Sequence, residues 1–209
     1  MLGHAQAHQP ALFRETTLPE PGSPRWFRLN RALSYCVRRK GDKLVTSLGK
    51  DARTTQLRIA GGELRGADYG EFGGRLVFQP TDKKATPVAI KQGNVRLLFQ
   101  RDGTVYFIEG MAHLSSSSGA LYQLTGTSPG FGYTKLADFA DAPEAFWVEN
   151  NTVYIAQSRG FAVVQQTFWG GLYPNSVAVF GDTVYVGMRG GYAQLVLASK
   201  QLKFFQHLP

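Results

Sequence analysis

Short apolar runs, each closed by a turn of Gly, Asn or Asp, recur along the second half of this 209-residue chain. In "SVAVFGDTVYVGMRGGYAQLVL" two runs flank Gly181-Asp182, and a third follows Gly190-Gly191. "AFWVENNTVYIAQSRGFAVV" repeats the plan around Asn150-Asn151. Two-residue turns that tolerate positive φ, set between alternating runs, predict β-hairpins. Slid forward by 31 residues, the stretch 143–164 lies on 174–195 without a gap. Pro143 then meets Pro174, Thr152-Val153-Tyr154 meets Thr183-Val184-Tyr185, and Gly160 meets Gly191.

Weaker copies stand upstream. "VRLLFQRDGTVYFIEG" turns at Asp102-Gly103, and its next strand, "GALYQL", is delayed by an insertion that contains Ser115–Ser118. "FGGRLVFQP", at Gly73-Gly74, and "RRKGDKLVTSLG", at Gly41-Asp42, keep only a turn and one strand. The phrase thus recurs about five times, at spacings of about 30 to 48 residues. One such unit cannot bury its own apolar faces, whereas neighbours can supply each other's core. The expected fold class is all-β, an array of about five short antiparallel units.

"NSVAVFGDTVYVGMRGG" resembles blades of the β-propeller superfamily, and the likeness covers about 120 residues. The resemblance implies a small propeller-like array and no particular activity. A repeat of 31 residues is short for a four-stranded blade. A β-trefoil or an irregular β-sandwich therefore stays open.

Residues 1–24 are expected to be a flexible N-terminal segment, and 25–209 a single all-β repeat domain. Between Ser23 and Gly41 two patterns compete. Ser23 can cap a helix with Pro24 as its first residue and Gly41 as its terminator. Alternatively Leu33, Tyr35 and Val37 alternate as a strand running into the Gly41-Asp42 turn, which is the preferred expectation.

Charge adds a direction to this picture. The net charge is +8, and residues 1–50 carry nine Lys/Arg against three Asp/Glu, while residues 101–209 carry six against seven. A basic half points to an acidic partner: a protein face, an anionic glycan or nucleic acid. The basic segment "PRWFRLNRALSYCVRRKGDK" interleaves aromatics as single-strand binders do, but no nucleic-acid module is present. Cys36, the only cysteine, can form no internal disulfide and reads as an inert buried thiol. No apolar run reaches the roughly 18–20 residues of a membrane-spanning helix. Ala5-Gln6-Ala7 has the small-x-small look of an export cleavage site without the regions that should precede it. A secreted or periplasmic life is the expectation, with a cytoplasmic one as the alternative.

Motifs of catalysis are missing. There is no phosphate-cradling glycine loop, no His-Glu-x-x-His and no Gly-x-Ser-x-Gly, and of the histidines His4, His8, His113 and His207 three lie near the chain ends. No cofactor and no metal are therefore expected, and no catalytic residue is assigned. The carboxylates Asp138, Asp141, Glu144 and Glu149 cluster within twelve positions and could serve a glycosidase-like hydrolase or a lyase. Arg159 and Arg189 follow the second strand of the two best copies and can grip carboxylates or phosphates. Trp169 and Tyr173, in "TFWGGLYPN", and Trp147 are candidate aromatic platforms for a protein or a sugar.

These features favour a non-catalytic protein that recognises another protein through loops of a β scaffold, as an inhibitor or immunity-type protein would. The candidate binding residues are Arg159, Arg189, Trp169, Tyr173 and Trp147. A carbohydrate-binding module is the first alternative, and a propeller hydrolase or lyase the second.

Overall fold

A computed structural model of the chain describes residues 12–49, 54–114, 116–150, 152–162, 166–167 and 172–208. Its first leg holds β1 (Phe13–Thr16), α1 (Pro24–Asn30), β2 (Tyr35–Lys40) and β3 (Lys43–Leu48). The second holds β4 (Thr54–Ile59), β5 (Gly62–Asp68), a 3-10 turn (Gly70–Phe72), β6 (Gly74–Pro80) and β7 (Val88–Gln92). It continues with β8 (Val95–Arg101), β9 (Thr104–His113), β10 (Ser116–Thr125) and β11 (Gly132–Phe139). The last leg holds β12 (Pro143–Glu149), β13 (Thr152–Gln157), β14 (Gly160–Phe161) and β15 (Gln166–Thr167). It ends with β16 (Ser176–Phe180), β17 (Thr183–Met188), β18 (Gly191–Val196) and β19 (Gln201–His207). The protein is all-β, built from several small antiparallel sheets. Two compact units divide the chain: Met1–Asp51 with Glu144–Pro209, and Ala52–Pro143.

In the first unit the largest sheet has the order β1-β19-β18-β17-β16. Strands β16, β17 and β18 read as nearly unbroken apolar runs because both faces are covered, and β16 is buried along its whole length. On one face Val177, Val179, Val184, Val186 and Leu195 pack with Leu29 of the helix and with Ala156 and Phe161. On the other, Ala178, Phe180, Tyr185, Tyr192 and Phe205 meet Val37 and Leu44 from the β2–β3 hairpin. That hairpin lies so close that a Cβ on Gly187 would stand 2.3 Å from the Tyr35 carbonyl oxygen. The contact is fixed by a hydrogen bond from the Val37 N–H to Ser176 Oγ, 2.8 Å.

Three expectations meet the structure here. Phe13–Thr16, inside the segment expected to be flexible, is a strand paired with β19, Phe13 opposite His207 and Thr16 opposite Phe204. Residues 1–11 lie outside the described residues. Between Ser23 and Gly41 the two competing patterns divide the segment. Ser23 caps α1 by accepting from the Trp26 N–H at 3.2 Å, with Pro24 at its first turn. The strand starts only at Tyr35, and Leu33 lies outside it, exposed. Third, the turn before β6 is longer than the two glycines expected: residues 69–73 make it, with Gly73 at φ of 83°, and Gly74 already opens β6, while a two-residue turn at Ala60-Gly61 joins β4 to β5. Elsewhere the two-residue turns join strands as expected, with positive φ at Gly41, Asp102, Gly103, Asn150 and Gly181. Moved by 31 residues, β13 coincides with β17, and β14 starts where β18 starts.

In the second unit the sheets run β4-β5-β6-β7 and β11-β10-β9-β8. Leu64, Leu76 and Phe78 of the former pack against Val95, Leu98, Phe107 and Leu124 of the latter. Strict alternation in "TTQLRI" and "GELRGAD" follows from this one-sided burial. The polar parity of β4–β7 is left facing outward.

Candidate anion-binding face

The pairing register orders that outward parity into rows. Thr54 stands opposite Ala67, which stands opposite Arg75. In the next row Gln56 pairs with Arg65, Arg65 with Val77, and Val77 with Ala89. In the third, Arg58 pairs with Glu63 and Glu63 with Gln79. Small side chains (Ala67, Val77, Ala89) therefore occupy the middle of the face, and long polar arms rise around them. The result is a hollow of about 490 Å³ with an aliphatic floor and a rim of guanidinium, amide and hydroxyl groups. A second hollow of about 560 Å³ adjoins it, shares Arg65 and Gln79, and adds Arg58, Glu63 and Lys83.

Four cations (Arg58, Arg65, Arg75 and Lys83) line these hollows against one carboxylate, Glu63. Glu63 accepts from Arg65 Nε at 2.7 Å. Among the described residues Arg58, Arg75 and Lys83 have no carboxylate partner. An exposed ion pair such as Arg65–Glu63 is worth only about 0–1 kcal/mol, so Arg65 can exchange Glu63 for a ligand carboxylate at little cost. Arg65 and Arg75 stand diagonally across β5 and β6, a spacing of roughly 7–8 Å between Cα atoms. Two like charges at that distance favour an anion between them, with Gln56 and Gln79 as further donors.

The residues singled out from sequence are spread differently. Arg189 is committed inside the first unit: it donates to the Asn30 carbonyl and to Asn30 Oδ1, and its guanidinium stacks on Tyr173. Tyr173 is half exposed, but Arg189 covers one ring face. Trp147 packs against the core beside Ala145 and Phe161, its Nε1 buried without a hydrogen-bond partner among the described residues. Arg159 is exposed and is engaged within the protein. Trp169 lies outside the described residues.

The four carboxylates of the acidic cluster divide between the two units. In the second unit Asp138 pairs with Lys135 at 2.9 Å, and buried Asp141 accepts from Ser117 Oγ. In the first, Glu144 accepts from Ser158 Oγ at 3.1 Å, and Glu149 pairs with Arg39 at 3.0 Å. Each carboxylate answers a local donor. Two arginines of the basic N-terminal segment are likewise engaged: Arg25 reaches Thr16 and Gln206, and Arg39 reaches the Val179 carbonyl and lies over Phe180. Among the described residues no group of three or more His, Cys, Asp or Glu is placed to hold a metal ion, and no helix is long and apolar enough to cross a membrane.

The face on β4–β7 escaped sequence reading because no motif marks it. Its signal is parity: Gln56 and Arg58, then Arg65, then Arg75 and Gln79 all fall on the non-core positions of alternating strands. Reading it requires the register, which fixes which of those positions share a row. No protein-family model matches the chain, and no curated protein matches it.

Proposed function

We propose that this chain is a non-catalytic binding protein, of inhibitor or immunity type, that recognises a protein with an acidic surface through the outer face of β4–β7. The scaffold in this reading is a propeller-like array. Its support is the run of small antiparallel sheets and the strand β1, which completes the sheet that ends with β19. The observation that carries the functional reading is the pair of adjoining hollows: a small-residue floor beside Arg75 in one, and Arg58 and Lys83 in the other, all three without carboxylate partners among the described residues. Charge-steered recognition of this kind gains chiefly in on-rate and specificity, and weakens with salt. Sugar stacking is the weaker reading, because Tyr173 is capped by Arg189 and Trp147 belongs to the core.

The test compares the protein with its Arg65→Glu/Arg75→Glu variant as baits for source extract and secretions at about 50 and about 500 mM salt. A partner retained at low salt is then purified and titrated against both baits by calorimetry. The expected result is an acidic protein that binds the variant at least tenfold more weakly. A partner that binds both baits equally, or a captured glycan or nucleic acid, overturns the reading.

A further inference from the structure

The rim of the first hollow ends at Tyr69, which leads directly into the 3-10 turn Gly70–Phe72. Phe72 on that turn is 85% exposed, and Leu114, at the tip of the β9–β10 hairpin, is 93% exposed. Glu71 and His113 hold the two tips side by side, with Oε2 and Nε2 2.9 Å apart. The turn is braced from beneath. Asp68, 2% exposed, accepts the Gly70 N–H at 2.8 Å and lies 3.1 Å from the Arg96 guanidinium. Asn94 Nδ2 donates to the Gly70 carbonyl at 2.7 Å, and Asn94 Oδ1 accepts from the Tyr69 N–H at 3.3 Å.

An apolar side chain exposed on a braced turn is an anchor whose ordering cost has already been met by the fold. Phe72 is such a side chain, Leu114 stands beside it across the Glu71–His113 contact, and the turn meets at Tyr69 a hollow whose Arg75 has no carboxylate partner among the described residues, so the surface as a whole is complementary to a segment both apolar and acidic. We infer that Phe72 and Leu114 form the apolar half of the same docking surface, and that its occupant is an extended peptide segment of the partner carrying one large apolar side chain beside a pair of carboxylates. This rests on the proposed role of the β4–β7 face. The geometry sets the spacing. Phe72 and Arg75 are three residues apart, at most about 10 Å, and Arg65 lies a further 7–8 Å or so away. An extended ligand covers that span in about three to five residues, so the apolar residue stands about that far from the carboxylates.

The experiment selects random 12-residue displayed peptides on three full-length baits: the protein, its Phe72→Ser/Leu114→Ser variant, and its Arg65→Ser/Arg75→Ser variant. All four side chains are on the surface, and unchanged thermal melts verify that each bait is folded. The protein is expected to enrich peptides with Asp or Glu about three to five residues from a Leu, Phe or Trp. The apolar preference should vanish on the first variant and the acidic preference on the second. In a titration of the best synthetic peptide, Phe72→Ser/Leu114→Ser and replacement of the peptide's apolar residue by Ser should each cost about tenfold, and together no more than either alone. Acidic enrichment without an apolar companion overturns this inference and leaves the β4–β7 reading standing. Apolar enrichment that survives on the Phe72→Ser/Leu114→Ser bait overturns it as well. Absence of any acidic preference overturns both.

Discussion

The guanidinium of Arg189 lies 3.9 Å from the centre of the Tyr173 ring while it donates to both oxygens of Asn30. Tyr173 has φ of 51°, a left-handed conformation that a bulky residue adopts only when its surroundings hold it there. The Arg189 N–H, bonded to the Leu172 carbonyl at 2.9 Å, pins the same turn from the backbone. One side chain therefore ties α1 to the loop that enters β16.

Arg189→Ala should accordingly lower stability rather than partner affinity. Loss of the ring stack and of two charge-assisted bonds is expected to cost about 1–3 kcal/mol. Arg189→Lys should recover only part of this, because both Asn30 bonds come from one nitrogen that an ammonium can replace, whereas the planar stack on Tyr173 is lost. Chemical denaturation of the two variants measures the stability, and titration with the partner is expected to leave affinity unchanged.

Arg65→Glu/Arg75→Glu should show the opposite profile. Both side chains are exposed on a regular sheet, so the melting midpoint is expected to move little. Partner affinity should fall at least tenfold at low salt, and the difference should narrow as salt rises. A drop in affinity that does not respond to salt would mean that the variant acts through shape and not through charge.

How much of this was readable before the fold was in view depends on how local each cause is. The hairpin turns at Gly41, Asp102, Asn150 and Gly181 are local, since positive φ and a residue that tolerates it are neighbours in sequence. The Ser23 cap is local too, and its pattern was visible, but the strand pattern from Leu33 onward competed with it. β1 is not local: Phe13 is held by β19, nearly the whole chain away, and nothing around it announces that pairing. The same holds for the candidate site. Arg65 and Arg75 gain meaning only when Ala67 is seen opposite Arg75 and Val77 opposite Arg65. Arg189 and Trp147, prominent in sequence as loop and aromatic residues, are engaged by their own unit.

The pairing of β1 makes a prediction of its own. The Phe13 ring lies 5.0 Å from Tyr192, 5.3 Å from Tyr35 and 5.2 Å from His207. Phe13→Ala is expected to cost about 2–3 kcal/mol, less than a fully enclosed phenylalanine would. Deletion of residues 1–16 should cost more, because it also bares the β19 edge and invites association. Urea melts and light scattering of the two variants report these effects separately.

In the second unit the critical polar pair is Lys91 and Glu109, 2.9 Å apart, with each side chain only 14% exposed. Lys91 also lies over the rings of Tyr122 and Tyr133 and donates to the Gln92 carbonyl. Glu109→Ala would leave a largely enclosed ammonium without its counter-ion, at an expected cost of about 2–4 kcal/mol. Replacing both residues, Lys91→Met with Glu109→Leu, should cost less than the single change, since no unpaired charge remains. Denaturation midpoints of the single and double variants decide it, and equal costs would mean that the pair contributes by packing alone.

Alkaline pH should open the first unit through its tyrosines. Burial raises the hydroxyl pKa of Tyr192 well above the ordinary value of 10.0, and the neighbouring Tyr185 raises it further. Burial raises Tyr185 and Tyr35 in the same direction. The neutral phenols are the forms the fold accepts, so the folded protein holds these protons more tightly than the unfolded chain does. Stability from this source is complete below the unfolded pKa, and drains away as pH climbs past about 10 towards the raised folded values. Phenolate absorbance near 295 nm should therefore rise in two stages, exposed tyrosines first and the buried set together with loss of the sheet signal in circular dichroism. Tyr192→Phe should shift that second stage to higher pH, because one group that ionises only on unfolding has been removed. Among the described residues the hydroxyl of Tyr192 has no hydrogen-bond partner, so the same variant is expected to be at least as stable as the parent at pH 7.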